Sequence, residues 1–310
     1  MVEYRLYFPL SEYLERRFSA RVYKITLDAG FTCPTRDGTK GKGGCLYCDQ
    51  WGSGNRLAGE GKDLGAQISM ARESLSRKRK AEKYFLYFQS FTNTYAPVER
   101  LKEIYDEALS YDRGDIVGLI IGTRPDCIDE EKLKLLSSYT DKYEVWVEYG
   151  LQSIYQKSLD FLERGHTLAD YLRAVQMTDR YHLNITTHII TGLPTETREE
   201  MVETAKFLAD TGYSDAVKIH SLYIPKSSRL ARIYQEEKLK LLTLEEYAET
   251  VADILEVLPK NIIIARMTGE TNREDLVAPL WVLDKQIVIK RILEIMKQRG
   301  SYQGKNYIKQ

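Results

Sequence analysis

The 310-residue chain has four cysteines, eight prolines and four histidines, and each scarcity excludes something. No stretch is rich in Pro or Ser or of low complexity, so no segment reads as a linker between independent domains. Neither charge sign is in excess. Lys plus Arg and Asp plus Glu stand at 45 each, which excludes an overall field that would draw the chain to nucleic acid or membrane. Docking on either must use local patches, of which two are present: "SRKRKAEK" (Ser76–Lys83), and the tail after Asp284, where Lys285, Lys290, Arg291, Lys297, Arg299, Lys305 and Lys309 face only Glu294 in sequence. The ordinary reading of both is a solvated helix face. Long apolar runs are also missing. "MVEYRLYFPLSEYLERRFSARVYK" never runs seven apolar residues without a charge, so no export signal is expected, and no later stretch approaches a membrane-spanning length. These absences predict a cytoplasmic protein without a membrane partner. In a reducing compartment four cysteines are not expected to be disulfides, and clustered thiols suggest metal.

What is present is a steady alternation. Short β-branched or aromatic runs recur at "RVYKITLDAG", "KYFLYFQSF", "DIVGLIIGT", "YEVWVEYGLQ", "NITTHIITG" and "DAVKIHSLY", with helical periodicity between them. "PVERLKEIYDEAL" opens on Pro97 and places Val98, Leu101, Ile104, Tyr105 and Leu109 at helical spacing. "TETREEMVETAKFLADTG" offers Thr195 as N-cap, acidic residues in its first turns and Gly212 at its stop. Six such repeats predict a parallel sheet covered by helices. Alternation alone fits both an open doubly wound sheet and a barrel. The strand ends favour the barrel, because polar or glycine residues follow each run: Cys33; Gln89 and Ser90; Arg124 and Asp126; Gln152 and Ser153; His188 with "TGLP"; His220 and Ser221. In a barrel those ends meet at one mouth, where ligand chemistry sits. After Tyr223 the pattern turns mostly helical, with one further strand candidate at "NIIIARMTG".

Three of the four cysteines share one glycine-rich loop, "FTCPTRDGTKGKGGCLYC" (Phe31–Cys48). Cys45 and Cys48 form a C-x2-C pair, and Cys33 lies upstream with eleven residues between it and Cys45. One loop can bring all three sulfurs around a single centre. Gly38, Gly41, Gly43 and Gly44 permit positive φ, which lets backbone N–H groups turn toward negative sulfur. Thiolates select zinc or iron–sulfur clusters. A structural zinc wants four protein ligands, and His166, His182, His188 and His220 are all distant in sequence. A [4Fe–4S] cubane held by three cysteines leaves one iron for a chelating small molecule. Zinc knuckle and cluster both stand at this point.

The surrounding segments add context. "DAGFTCPTRDGTKGKGGCLYC", "FQSFTNTYAP", "GTRPDCI", "EYGLQS", "ERGHT" and "HIITGLPTET" occur in this order and at matching strand ends. Together they resemble the radical S-adenosylmethionine (SAM) superfamily, and within it the bacterial branch related to the catalytic subunit of the elongator complex. The resemblance runs from about Tyr4 to "WVLDKQIVIKRILEIMKQRG" and "SYQGKNY". The superfamily's commonest spacing is C-x3-C-x2-C, and the longer first gap here matches the elongator-like branch.

The resemblance implies an α/β fold, a partial (βα)6 TIM-like barrel over residues 1–223, with residues 224–310 as a mostly helical extension packed on it. It implies that Cys33, Cys45 and Cys48 bind a [4Fe–4S] cluster whose fourth iron is chelated by SAM. Tyr47 would lie near the adenine, and Gln89, Ser90, Asn93 and Thr94 near the methionine amino group. Gln152 would face the ribose, Arg164 would pair with the methionine carboxylate, and Gly192, Leu193 and Pro194 would flank the adenine. A low-potential electron from an external donor such as flavodoxin or ferredoxin would cleave SAM to methionine and a 5′-deoxyadenosyl radical, which takes hydrogen from a substrate. The implied substrate is transfer RNA, modified at the wobble uridine. The chain ends without the acetyltransferase domain of the elongator subunit, so a different change to the uridine is expected. A small molecule or protein as substrate, and a non-enzymatic zinc knuckle binding RNA, are the alternatives.

Plainer readings exist for single residues. Gln152 or Ser153 could cap the next helix, and Arg164 could make a surface ion pair. His166 and His188 read as hydrogen-bonded structural residues, and Cys127 as a small buried hydrophobe.

Overall fold

The computed structural model describes residues 5–52, 63–237 and 239–308, so Lys309 of the basic tail lies outside them. Seven parallel strands lie side by side in chain order: β1 (Val22–Leu27), β2 (Lys83–Phe88), β3 (Ile116–Thr123), β4 (Glu144–Gln152), β5 (Asn184–Thr191), β6 (Ala216–Ser221) and β8 (Ile263–Arg266). The six expected runs supply β1 to β6. The seventh strand is the candidate in "NIIIARMTG". A short ribbon pairs β7 (Ile224–Pro225) antiparallel with β9 (Leu276–Ala278). The sheet curls into a half-barrel with β1 and β8 at its two edges.

Period-two alternation sorts the side chains of each strand. On β4, Val145, Val147, Tyr149 and Leu151 join the main core, whereas Trp146 belongs to a separate inner cluster with Phe85, Ile120, Ala216 and Ile263. The main core is completed by the helices that cover the sheet. Before them comes α1 (Leu10–Phe18), and the covering helices begin with α2 (Leu64–Arg79), α3 (Val98–Ser110) and α4 (Glu130–Ser137). Next are the short α5 (Gln156–Phe161), then α6 (Leu168–Arg180) and α7 (Arg198–Thr211), followed by α8 (Arg229–Glu237), α9 (Leu244–Val257) and α10 (Lys285–Gln298). Tyr247, Val251 and Leu255 of α9 and Val288 and Ile292 of α10 bury in the same core as the strands.

The inner cluster is sealed by α1, which brings Phe8, Leu10, Tyr13, Leu14 and Phe18 against it. Tyr13 meets Trp146 edge to face at 5.7 Å and donates to Glu144 Oε1 at 2.8 Å. Pro9 bridges Ile264 of β8, so the N-terminal segment reaches across one open edge. The C-terminal segment fastens it. Gln303 Oε1 accepts from Phe8 N at 2.8 Å while its amide donates to Pro259 O and Ile262 O. One end of the half-barrel is filled by apolar side chains, and the cavity lined by the loop cysteines opens toward the C-terminal strand ends.

Two local expectations are corrected. Thr197, not Thr195, caps α7, because its hydroxyl accepts from Glu200 N and Glu200 reaches back to Thr197 N, a reciprocal box that Thr195 lies too early to make. The tail is less basic in space than in sequence. Arg291 pairs with Glu245 at 2.6 Å and Arg299 with Asp253 at 2.7 Å, both acids supplied by α9.

Glycine at 118 is set by strand packing. Gly118 pairs with Glu144, and a Cβ there would stand 2.0 Å from the Glu144 carbonyl oxygen and 2.4 Å from Phe85 Cε1. At Gly122, on the same strand, the nearest atom to an added Cβ is Phe88 O at 3.1 Å. Gly118→Ala is expected to lower unfolding free energy by about 3 kcal/mol or more, and Gly122→Ala by distinctly less, as read from urea denaturation midpoints. Equal losses would show that the β3–β4 register is not the one described.

Candidate functional site

The C-terminal strand ends open into a cavity, and the thiol loop forms its lid. Cys33, Cys45 and Cys48 all line it, together with Tyr47, Gln89, Gln152 and Arg164. Backbone hydrogen bonds hold the loop: Arg36 N and Asp37 N to Cys33 O, Gly44 N to Thr35 O, and Cys48 N to Cys45 O at 3.0 Å. Two straps tie it to the body, with Leu46 N donating to Leu162 O and Leu230 N to Leu46 O, each at 3.0 Å. Gly38, Gly43 and Gly44 take positive φ as expected, and Gly41 does not. None of the four cysteines is in a disulfide.

Each loop sulfur has its own hydrogen-bonding neighbour. Cys33 Sγ lies 2.8 Å from Thr92 Oγ1, Cys45 Sγ is 3.3 Å from Arg164 Nη1, and Cys48 Sγ is 3.3 Å from Arg36 Nη2. Burial raises the Cys45 thiol, but the Arg164 and Arg124 guanidiniums outweigh it and bring its pKa below the ordinary value. Burial pushes Cys48 up to about 11.

Arg164 is a buried cation built into the wall, with Nη2 donating to Gly150 O at 2.8 Å. A side chain at Gly150 would collide with Gln152 Nε2 at 2.6 Å and Arg164 Nη2 at 2.9 Å, so glycine there makes room for both. Gln152 sits at a β-bulge with φ of 73°, a left-handed conformation that a non-glycine residue holds only where packing enforces it. Arg124 runs alongside, bonded through Nε to Asp126 Oδ1 at 2.9 Å and through Nη2 to Arg164 O at 2.5 Å. Arg124 Nη1 and Arg164 Nε are buried without a hydrogen-bond acceptor.

The other expected residues stand behind this wall. Asn93 Nδ2 donates to Phe88 O and Gly122 O, and Thr94 Oγ1 bonds Thr123 Oγ1 and Cys127 O. Ser90 is buried with its hydroxyl unpartnered, Leu193 packs with Leu46 and Leu162, Gly192 N donates to Met201 Sδ, and Pro194 is exposed. Cys127 is buried in a turn (Pro125–Cys127).

Below the loop lies a charged layer. Glu148 Oε2 accepts from Lys218 Nζ at 2.6 Å and lies 3.1 Å from His188 Nε2, while Glu148 Oε1 is 3.3 Å from Lys24 Nζ. Lys218 also donates to Tyr87 Oη at 3.1 Å. Burial alone would raise Glu148, but Lys218 and Lys24 hold its carboxyl well below the usual range. Burial and the Lys218 ammonium push His188 down to about 4. His188 is hydrogen-bonded, as its plain reading had it.

Comparison with known proteins agrees with this geometry. Residues 38–208 match the model of the radical SAM superfamily, and residues 214–298 that of the radical SAM C-terminal domain. The chain belongs to the radical SAM superfamily. It is 38% identical to protein YtqA of Bacillus subtilis over 96% of this chain and 92% of that one. Over 49% of its length it is 28% identical to the tRNA uridine(34) acetyltransferase of Methanocaldococcus jannaschii, of which the match covers 28%. The solved Elp3 of Methanocaldococcus infernus superposes with a TM-score of 0.70 at 18% identity, over 92% of this chain and 64% of that one, which shows a shared fold.

Radical SAM proteins use a [4Fe–4S] cluster and SAM, and the residues here fit both. Three thiols on one loop suit a cluster with one open iron. The unpartnered guanidinium nitrogens of Arg124 and Arg164 suit an amino-acid carboxylate, since a buried donor without an acceptor costs about 1–3 kcal/mol. A tetrahedral zinc–thiolate site holds its sulfurs about 3.8 Å apart. Among the described residues no three His, Cys, Asp or Glu side chains are grouped for a single ion. Nor, among the described residues, is any helix long and apolar enough to cross a membrane.

Reading the sequence placed Arg124 at the mouth without giving it a role, and missed Arg36 beside the thiols and the whole layer of Tyr87, Glu148, Lys218 and Arg266. A signal was present. "YEVWVEYG" and "DAVKIH" place single charges inside apolar strands, at positions whose alternation points them inward.

His188 gives a pH test. Its folded pKa lies below its unfolded one, so stability is full above about pH 6.5 and is lost as pH falls toward 4. From pH 7 to pH 5 the His188 contribution falls by about 2 kcal/mol. His188→Gln should lose correspondingly less stability over that interval in urea melts, and an unchanged slope would place the depressed titration elsewhere.

Proposed function

We propose that Cys33, Cys45 and Cys48 hold the [4Fe–4S] cluster, and that this chain is a SAM-cleaving enzyme whose substrate is transfer RNA modified at the wobble uridine. When bound, the cluster supplies the electron that splits SAM into methionine and a 5′-deoxyadenosyl radical. The protein's own residues orient and shield. Arg164 and Arg124 each offer one unpaired N–H donor to the methionine carboxylate, Gln89 and Gln152 offer polar contacts from the ends of β2 and β4, and Tyr47 closes the cavity under the loop. Ser90, Asn93, Thr94 and the Gly192–Pro194 turn support that wall from behind. The straps at Leu46 hold the loop over the cavity. An external one-electron donor of the flavodoxin or ferredoxin class completes the reaction.

The observation that carries the chemistry is the convergence on one cavity of three cysteine thiols and two guanidiniums, each with one buried N–H that lacks an acceptor. Transfer RNA is supported by the likeness to a tRNA uridine(34) acetyltransferase over half of the chain.

Replacing Cys33, Cys45 or Cys48 singly with Ala should abolish release of 5′-deoxyadenosine from SAM by anaerobically reconstituted protein and lower its iron content. Cys127→Ala should leave both largely intact. Full cleavage by any loop variant would remove that cysteine from the ligand set. For the substrate, nucleoside mass analysis of transfer RNA from cells with and without the protein should reveal one altered uridine; unchanged profiles would remove transfer RNA while leaving SAM cleavage standing.

A further inference from the structure

We infer that the charged layer beneath the thiol loop is a base-binding seat, centred on Lys218, that selects uracil over cytosine; this rests on the wobble-uridine reading above. The sheet register builds it. His188 of β5 pairs with Lys218 of β6, and Lys218 pairs with Arg266 of β8, so three nitrogen-bearing side chains form one row across adjacent strands. All three line the same cavity as the loop cysteines, with Tyr87, Glu148 and His220. The row therefore faces the site from the side opposite the loop.

The row is preset to donate. Lys218 is only 4% exposed and burial draws its pKa well down, but the Glu148 carboxylate at 2.6 Å favours the ammonium; two of its three N–H groups then go to Glu148 and Tyr87, which leaves the third for a ligand. Arg266 meets Glu270 through Nη2 at 3.3 Å, and the rest of its guanidinium fork has further N–H groups to offer. His220 Nε2 is buried against the cavity with no hydrogen-bond partner. The His188 and His220 rings stand 5.2 Å apart at 30°, and burial keeps both neutral, so they present flat faces and not charge.

This chemistry favours a neutral carbonyl-bearing ring over a phosphate. Each cation already has a carboxylate, Glu148 for Lys218 and Lys24 and Glu270 for Arg266, and a phosphate would have to compete for them. A carbonyl oxygen accepts the spare N–H groups without disturbing those pairs. Uracil carries two such oxygens. Cytosine replaces one with an amino group, and Lys and Arg can only donate, so cytosine would bring donor against donor. A site built for a hydrogen bond discriminates strongly against the analogue that lacks it.

The test uses two anticodon stem-loop RNAs identical except for U or C at the wobble position. Each is titrated, by fluorescence anisotropy at one fixed salt concentration, against cluster-loaded protein with SAM. The U form should bind at least about tenfold more tightly, the equivalent of one lost hydrogen bond. Lys218→Met should bring the ratio near one while retaining RNA binding. Arg266→Gln, at a partly exposed position, should narrow the ratio in the same direction and guards against misfolding of the first variant. Equal binding of both RNAs by the unsubstituted protein overturns the uracil seat and leaves transfer RNA in place. Failure to bind either RNA overturns both readings, and full preference in both variants removes the seat from this layer.

Discussion

A half-barrel whose edges do not meet needs contacts across its interior to keep its curl, and here Glu148 supplies them. Its carboxylate gathers Lys24 from β1, His188 from β5 and Lys218 from β6, and Lys218 extends the set to Tyr87 on β2. Such groups can be buried only because they satisfy one another. A buried ion pair is a weak source of net stability, yet removing one member strands the other and costs about 3–5 kcal/mol. The layer thus fixes strand positions without being the main driving force. That force comes from the apolar cluster below it, sealed by α1, and from the helices outside.

The strand β4 links every level of the site. Its inward residues, two apart, are Glu144 and Trp146 against α1, Glu148 at mid-height, and Gly150 and Gln152 under the thiol loop. Gly150 has no side chain because Arg164 passes there, and the bulge that follows swings Gln152 into the cavity. A one-residue slip of β4 would reverse every one of these positions, so the register of one strand governs the apolar floor, the charged layer and the mouth together.

Much of this was legible in the sequence. The six strand runs, the seventh candidate, the open mouth at the strand ends and the gathering of Cys33, Cys45 and Cys48 follow from local patterns that need no tertiary information. What escaped depended on distance in the chain. Arg36 reaches Cys48 because the loop folds back on itself, and Arg124 meets Arg164 because strand ends converge. Glu148 and Lys218 lie 70 residues apart, and nothing in either segment names the other. The tail's partners were hidden in the same way: Arg291 and Arg299 count toward a basic patch until α9 brings Glu245 and Asp253 against them.

Were its substrate a nucleic acid, a chain with balanced charge would have no overall field with which to choose it. Phosphate contacts from surface lysines position a ligand but carry no sequence information, and here several surface cations are already held by acids. Under the transfer RNA proposal, discrimination would come from inside the barrel, where a donor stripped of water is worth more and an unmatched one is costlier. The interior is divided by height, with thiol and guanidinium groups at the mouth and imidazole, ammonium and phenol groups beneath. A substrate group reaching between them would be held on one side by hydrogen-bond donors that define it and on the other by the centre that acts on it. Catalysis by a radical requires that confinement, since the reactive species must meet one hydrogen atom and no solvent.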